Sequence, residues 1–436
     1  MKRRDCSISD AGGINGDTRS GALFDLKVID LGHFIAGPYC ASLLAGLGAE
    51  VIKIEKPGSG DGARRLGPFP GDEPHLEKSG LFSYLNLGKK SVTLNLKSQN
   101  GGKAFRRLVE EADVLIENFR PDVMPSLGLA YEDLRKFNPS LIMTSISNFG
   151  QSGPYRDYRG YEIEVGALGG VQADTGEIDR EPIKFGGQQL QFQAGLTAAF
   201  ATMSAICYRD ASGIGQHIDM AIVEVAATLK GYATMNFQET GRHRVRSGAR
   251  MWQRLQQVPN VDNIPPQTRL TPGACIVILP CKDGYVCLDT ELTSQWLSLC
   301  DMIGHPELKG DPRFSSLMNG AYADDLDAIL KDYLKTKTQR EVFEEATAWR
   351  IPAAIVNDIA QLFHDPQHRA RGFFVQVEHP VLGKIDYPGH PFVMSETPWK
   401  QVSGAPTLGA HNKEVLVDRL GYSTDEMDTM TKDGVI

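Results

Sequence analysis

Positive charge is in deficit in this chain: 46 Lys and Arg stand against 54 Asp and Glu, a net charge of −8. No excess cationic surface is present to replace the counterions of a nucleic acid, so general nucleic-acid binding is excluded. Any basic groups that matter act locally. The seven cysteines are odd in number and contain no Cys-x-x-Cys pair, and the ten histidines fall in no His-Glu-x-x-His segment. Neither a metal site nor a disulfide framework has its usual spacing, which leaves reduced thiols in a cytoplasmic protein. No apolar run approaches the ~20 residues that span a bilayer, so no membrane association is expected. The opening "MKRRDCSISDAGG" is basic but lacks the apolar core of a signal peptide, and residues 1–23 read as a flexible leader. "GSGDGA" (58–63) misses the Gly-x-Gly-x-x-Gly spacing and follows the second predicted strand, which is the wrong place for a dinucleotide loop. Neither a Gly-x-Ser-x-Gly elbow nor a P-loop occurs.

What is present is an alternation. "LKVIDLG" (26–32) is a short apolar run closed by Gly, and "GPYCASLLAGLGA" (37–49) follows with Leu43, Leu44 and Leu47 at helical spacing. "EVIKIEKPG" (50–58), "KSVTLNLK" (90–97), "DVLIENF" (113–119) and "LIMTSISNFG" (141–150) continue the strands, with the helix-like "NGGKAFRRLVEEA" (100–112) among them. Strands alternating with helices of this length predict an α/β fold with a parallel sheet covered on both faces. A chain of 436 residues is too long for one core, so a second domain is expected. After "GQHIDMAIVEVAATL" (215–229) the pattern changes. Residues 231–274 are rich in Arg, Gln and Pro and read as a linker. "CIVILPCKDGYVCLDT" (275–290) reads as a hairpin around Lys282, Asp283 and Gly284, the start of a smaller α+β domain over 275–370. Residues 371–436 form a return segment that ends in one more helix.

Polar residues recur just after successive strands. His33 follows the first, Lys56 the second, and Asn118 with Phe119 the strand "DVLIE"; Arg159, Tyr161 and Glu162 come shortly after "SNFGQSGPY" (147–155). In an open α/β sheet the carboxyl ends of the strands line the ligand crevice. A second concentration is "FGGQQLQFQAGL" (185–196), where Gln188, Gln189, Gln191 and Gln193 precede a small-residue helix. A helix start favours an anion, yet amides are neither acids nor good nucleophiles.

These residues carry a resemblance. "VIDLGHFIAGPYCASLLAGLGAEVIKIEKPGSGD", "NLGKKSVTLNL", "DVLIENFRP", "NPSLIMTSISNFGQSGPY", "GIGQHIDMAIVE", "IPAAIVNDIAQLFHDPQHRARGFF" and "APTLGAHNKEVL" together resemble the class III CoA-transferases, in family order from about residue 24 onward. That family includes formyl-CoA transferase and crotonobetainyl-CoA transferase. The resemblance implies a large Rossmann-like α/β domain built from both chain ends (24–230 and the return segment), a smaller domain inserted between, and an interlocked dimer. It implies coenzyme A or acyl-CoA as substrate, with no tightly bound cofactor and no metal. Carried over by position, CoA contacts fall on His33, Phe34 and Ala36, on Lys56 as a basic phosphate partner, and on Lys89 and Lys90. Asn118 and Phe119 would border the adenine and pantetheine, with Arg159 and Tyr161 adding to the site. Because CoA carries about four phosphate charges, a negative protein needs such a local basic cluster. One departure is Ser126, where some relatives have an arginine before Gly-Leu.

In this family the nucleophile is an aspartate four residues before the Gly of "AGL". Counting back from Gly195 gives Gln191, and no Asp or Glu occurs from Lys184 to Tyr208. Glu162 aligns with a second acidic position that some transferases and the acyl-CoA racemases carry. Three readings follow. The chain is a non-catalytic subunit paired, as heterodimer or heterotetramer, with a homologous subunit that bears the catalytic Asp; the family's succinyl-CoA:(R)-benzylsuccinate CoA-transferase, from aromatic catabolism, has unequal subunits of that kind. Alternatively it is a self-sufficient transferase or a racemase using Glu162 as acid, base or nucleophile. In the third reading it binds acyl-CoA without turning it over. Met251, Trp252 and Leu255 are candidates to line an acyl pocket.

Overall fold

The computed structural model describes residues 21–177, 179–241, 243, 246, 276–314, 322–399 and 403–436. The expected alternation forms one six-stranded sheet: β1 (Lys27–Asp30), β2 (Glu50–Glu55), β3 (Lys90–Thr93), β4 (Val114–Glu117), β5 (Ile142–Ser147) and β6 (His217–Ala221). Its order is β3-β2-β1-β4-β5-β6, and every neighbouring pair is parallel. β4 and β5 are buried at every residue, as strands covered on both faces must be. The order reverses between β1 and β4, so the loops after these two strands flank the switch point where such sheets bind ligands.

The helices are explained by local chemistry. α1 (Ala36–Gly46) begins directly after the β1 loop. α2 (Gln99–Glu110) starts where the Ser98 hydroxyl accepts from the Gly101 amide, and buries Ala104, Phe105, Leu108 and Val109, the spacing of one helical face. α3 (Glu162–Leu168) is short, and α4 (Gln189–Ser212) is the long small-residue helix. α4 crosses α1 closely at Gly195, where an added Cβ would lie 2.7 Å from the Ala36 carbonyl oxygen. That close approach is the physical reason for the glycine in "AGL". The sheet core gathers Ile29, Ile52, Val92, Phe105, Leu115 and Met143 with Val415 and Leu416 from the far end of the chain.

The chain divides into two compact units: one holds residues up to 165 with 188–225 and 367–436, the other 166–187 with 226–366. In the second unit the expected hairpin is present as β7 (Ile276–Pro280) and β8 (Tyr285–Asp289), and β9 (Ala353–Ile355) adds an antiparallel third strand. Its core is Val277, Val286, Trp296, Leu299, Leu330 and Val342. The return segment carries an antiparallel pair, β10 (Phe374–His379) and β11 (Gly383–Pro388). It ends in two helical stretches, Lys413–Arg419 and Thr424–Lys432, where the sequence suggested one. Most of the segment read as a linker, with Met251, Trp252 and Leu255, lies outside the described residues. Among the described residues no helix is long and apolar enough to cross a membrane, and no cluster of three or more His, Cys, Asp or Glu is placed to hold a metal ion.

Candidate functional site

The loop after β1 is held from two sides. Asn118, just after β4, accepts from the His33 amide at 2.7 Å and donates to the His33 carbonyl at 2.8 Å. Asp61 accepts from the Phe34 amide at 2.9 Å. The His33 ring lies 5.5 Å from Phe119 and 6.5 Å from Phe34, centroid to centroid, which makes a strip of three rings across the switch point. Ala36 then opens α1, and its carbonyl meets Gly195 of α4. Gln191 occupies the first turn of α4. It lies one turn before Gly195 and so shares the helix face that meets α1. The position that the resemblance gives to the nucleophile thus lies one turn ahead of the point where α4 crosses α1.

Glu162 comes to the same place from α3: its Oε1 accepts from the Leu190 amide at 2.9 Å. A carboxylate so placed satisfies one of the orphan amides at the start of α4 and is favoured by the helix dipole. The loop between β5 and α3 is tied at several points. The Gln151 amide donates to both oxygens of Asp219, at 2.9 and 3.1 Å, and Asn148 donates to the Gly160 carbonyl. That loop carries Arg159 and Tyr161, both exposed, the latter at 78%.

The basic residues divide into two kinds. Lys56 and Arg159 are exposed beside the strand-end loops. Lys89 is different, and the expectation that it meets a phosphate needs correction. It is buried, and its ammonium donates to Asp30 at 2.8 Å, the Pro38 carbonyl at 2.7 Å and Asn86 at 2.9 Å. With all three donors used inside the protein, none is left for a ligand. Lys90 forms ion pairs with Glu50 and Glu414, each at 2.7 Å.

Beneath the loops lies a buried charge network that sequence reasoning missed. Lys53 pairs with Asp61 at 2.9 Å and donates to the Gly32 carbonyl at 2.7 Å, and Asp30 lies between Lys53 and Lys89. Arg64 makes a two-pronged pair with Glu55 at 2.7 and 2.8 Å, a bond to Glu77 and one to the Pro406 carbonyl. Burial alone would raise the Asp61 carboxyl, but Lys53 and His33 outweigh it and hold it far below the carboxylate range. Burial pulls the Lys89 ammonium down to about 8 against the attraction of Asp30. The signal for this network is a lysine between the apolar residues of a strand, Lys53 in "EVIKIE": a charge buried there must be paired.

Glu117, the last residue of β4, has no such cation among the described residues. Burial raises its carboxyl to about 7 from an ordinary 4.5, while Ser145 and the Phe119 amide, 2.7 Å away, pull the other way. A raised folded value means that this group contributes stability fully below about pH 4.5, and that the contribution is lost as pH rises through about 7. At one pH unit per 1.36 kcal/mol the difference is about 3 kcal/mol. Glu117→Gln should therefore flatten the pH dependence of stability between those values and gain on the parent at pH 8. Urea denaturation of both proteins across that range checks this.

Comparison with known proteins decides the class. Residues 23–412 match the model of CoA-transferase family III. The chain belongs to that family. It is 33% identical to succinate–glutarate CoA-transferase of Agrobacterium fabrum, over 92% of this chain and 96% of that one. It is likewise 33% identical to succinyl-CoA–D-citramalate CoA-transferase of Chloroflexus aurantiacus, over 95% of this chain and 98% of that one. A CaiB/BaiF family protein from Brucella suis shares its structure with a TM-score of 0.79 and 32% identity, covering 92% of this chain and 99% of the other. The family III chain thus works on CoA thioesters as substrates, with no tightly bound cofactor.

Proposed function

We propose that this chain is the subunit of a family III CoA-transferase that lacks its own nucleophile, acting in a heteromer with a homologous chain that carries the aspartate. The observation that carries the reading is Gln191: an amide in the first turn of α4, with no acid from Lys184 to Tyr208. In the partner's site the aspartate attacks the thioester carbonyl of the donor acyl-CoA and CoA thiolate leaves, giving an anhydride. The thiolate then attacks the aspartyl carbonyl, releasing the donor acid and leaving an aspartyl-CoA thioester. The acceptor acid repeats the two steps in reverse, so CoA moves without hydrolysis and the carboxylate is regenerated. Gln191 does not enter this cycle, because a neutral amide is a poor nucleophile with no matching leaving group. Succinyl-CoA is the donor this reading favours, since two relatives are named for succinyl or succinate transfer. The free cysteines among the described residues suit a cytoplasmic setting.

A second reading has its own observation. Glu162 reaches the α4 N-terminus and is the one acid bonded there among the described residues, which makes it the candidate nucleophile or base of a self-sufficient enzyme. Co-expression with a homologue bearing Asp at the position of Gln191, followed by native mass spectrometry, separates the two. The heteromer reading expects a mixed complex with transfer activity. A strict homodimer that turns over alone supports Glu162.

In this reading CoA binds at the loops after β1, β2, β4 and β5, where His33, Phe34, Ala36, Lys56, Asn118, Phe119, Arg159 and Tyr161 lie. Lys56→Ala or Arg159→Ala should weaken CoA binding by about 1–3 kcal/mol, the loss of one charge-assisted hydrogen bond. Calorimetry on each variant measures it, and an unchanged affinity removes that residue from the site.

A further inference from the structure

Phe34 has a backbone φ of 60°, in the left-handed region that a bulky residue rarely enters. Such conformations persist where the surroundings over-determine them, and they gather at ligand-binding turns. The surroundings here are specific. Asp61, buried, accepts from the amides of Phe34 and Ala63, each at 2.9 Å. Its ion-pair partner Lys53, also buried, donates to the Gly32 carbonyl at 2.7 Å. One buried pair therefore grips both ends of the turn, while Asn118 holds its middle through the His33 amide and carbonyl. Gly62 leaves room for the ring: a Cβ there would lie 2.4 Å from Phe34 Cζ. A turn strained for the sake of packing would bury its ring. The Phe34 side of this one stays 49% exposed.

We infer that Asp61, backed by Lys53, is a positioning residue that holds the Phe34 turn in the shape that receives CoA. The inference rests on the reading of these loops as the CoA site. Asp61 touches no substrate and acts through the backbone of residues 32–34. The same pair anchors the turn whether the covalent step falls to this chain or to a partner.

Five variants of the full chain test it, each read for CoA affinity by calorimetry and for thermal midpoint. Asp61→Asn keeps an acceptor for the Phe34 amide but loses the ion pair; Asp61→Ala loses both. Both should lower the midpoint, yet affinity should fall tenfold or more only in Asp61→Ala, with a far smaller loss in Asp61→Asn. A purely structural Asp61 would make affinity follow stability, so equal losses in the two, or none in Asp61→Ala, overturn the inference. Should Asp61→Ala fail to fold, Gly62→Ala pushes on the ring without removing a buried charge. It should weaken CoA tenfold, and unchanged affinity there is equally fatal. Phe34→Gly should melt several degrees above Phe34→Ala, because glycine is relaxed at this φ and alanine is not; the reverse order means the turn is not held. If the unmutated chain, with or without a partner, binds no CoA, the reading of the site has failed rather than the clamp, which the comparison at residue 34 still judges.

Discussion

Gln191→Asp is expected to convert the isolated chain from one that forms no covalent adduct with succinyl-CoA to one that does. The position already has what a carboxylate nucleophile needs. It lies in the first turn of α4, where unsatisfied amides and the helix dipole favour an ionised acid. It lies one turn before Gly195, where the two helices approach. An aspartate is smaller than the glutamine it replaces, so no clash is introduced. What changes is chemistry: an anionic oxygen in place of an amide nitrogen whose lone pair is delocalised. The product, an aspartyl-CoA thioester, should appear in the intact mass and vanish on treatment with hydroxylamine. A folded, CoA-binding variant without the adduct would mean that the pocket around residue 191 has changed along with the nucleophile.

Arg64→Met is expected to destabilise the fold by about 3–5 kcal/mol, the range for removing one partner of a buried ion pair. Arg64 is fully buried, makes two bonds to Glu55 and one to Glu77, and covers the Phe82 ring at 3.7 Å. Methionine restores most of the volume and contact with the ring, so the loss reports the stranded Glu55 carboxylate rather than a cavity. Adding Glu55→Gln should recover part of it, because the two residues are coupled. Urea denaturation with an unchanged slope, and a midpoint shifted by the expected amount, checks the prediction. A loss below about 1 kcal/mol would show that Glu55 is satisfied by its other partners, which include Ser91 at 2.7 Å.

How far the sequence discloses this protein differs from element to element. Five strands of the sheet are legible because buried parallel strands read as largely apolar runs, and the hairpin at 275–290 because its turn residues interrupt such a run; β6, with the sequence His-Ile-Asp-Met-Ala and an exposed first half, carries no such signal. The amide at Gln191 is legible by counting within a motif. The reason for the glycine it is counted from, a helix crossing at Ala36, is not. The charge network is half legible: Lys53 announces that a partner exists, but only the fold brings Asp61 to it. Lys89 looks like a surface lysine beside Lys90. Its burial follows from the turn before β3, which points it at Asp30 and Pro38, a tertiary arrangement no local pattern encodes. The last helix was hidden because Met427 and Met430 are almost its only apolar residues, though Ser423 and Glu426 form a capping box that is visible in the sequence.

The most direct measurement is the intact mass of each subunit during turnover, taken on this chain reconstituted with an Asp-bearing homologue and given succinyl-CoA and an acceptor acid. The expected result is CoA bound covalently to the homologue alone, with this chain at its unmodified mass. A hydroxylamine-sensitive CoA adduct on this chain, mapped to Glu162, would contradict it.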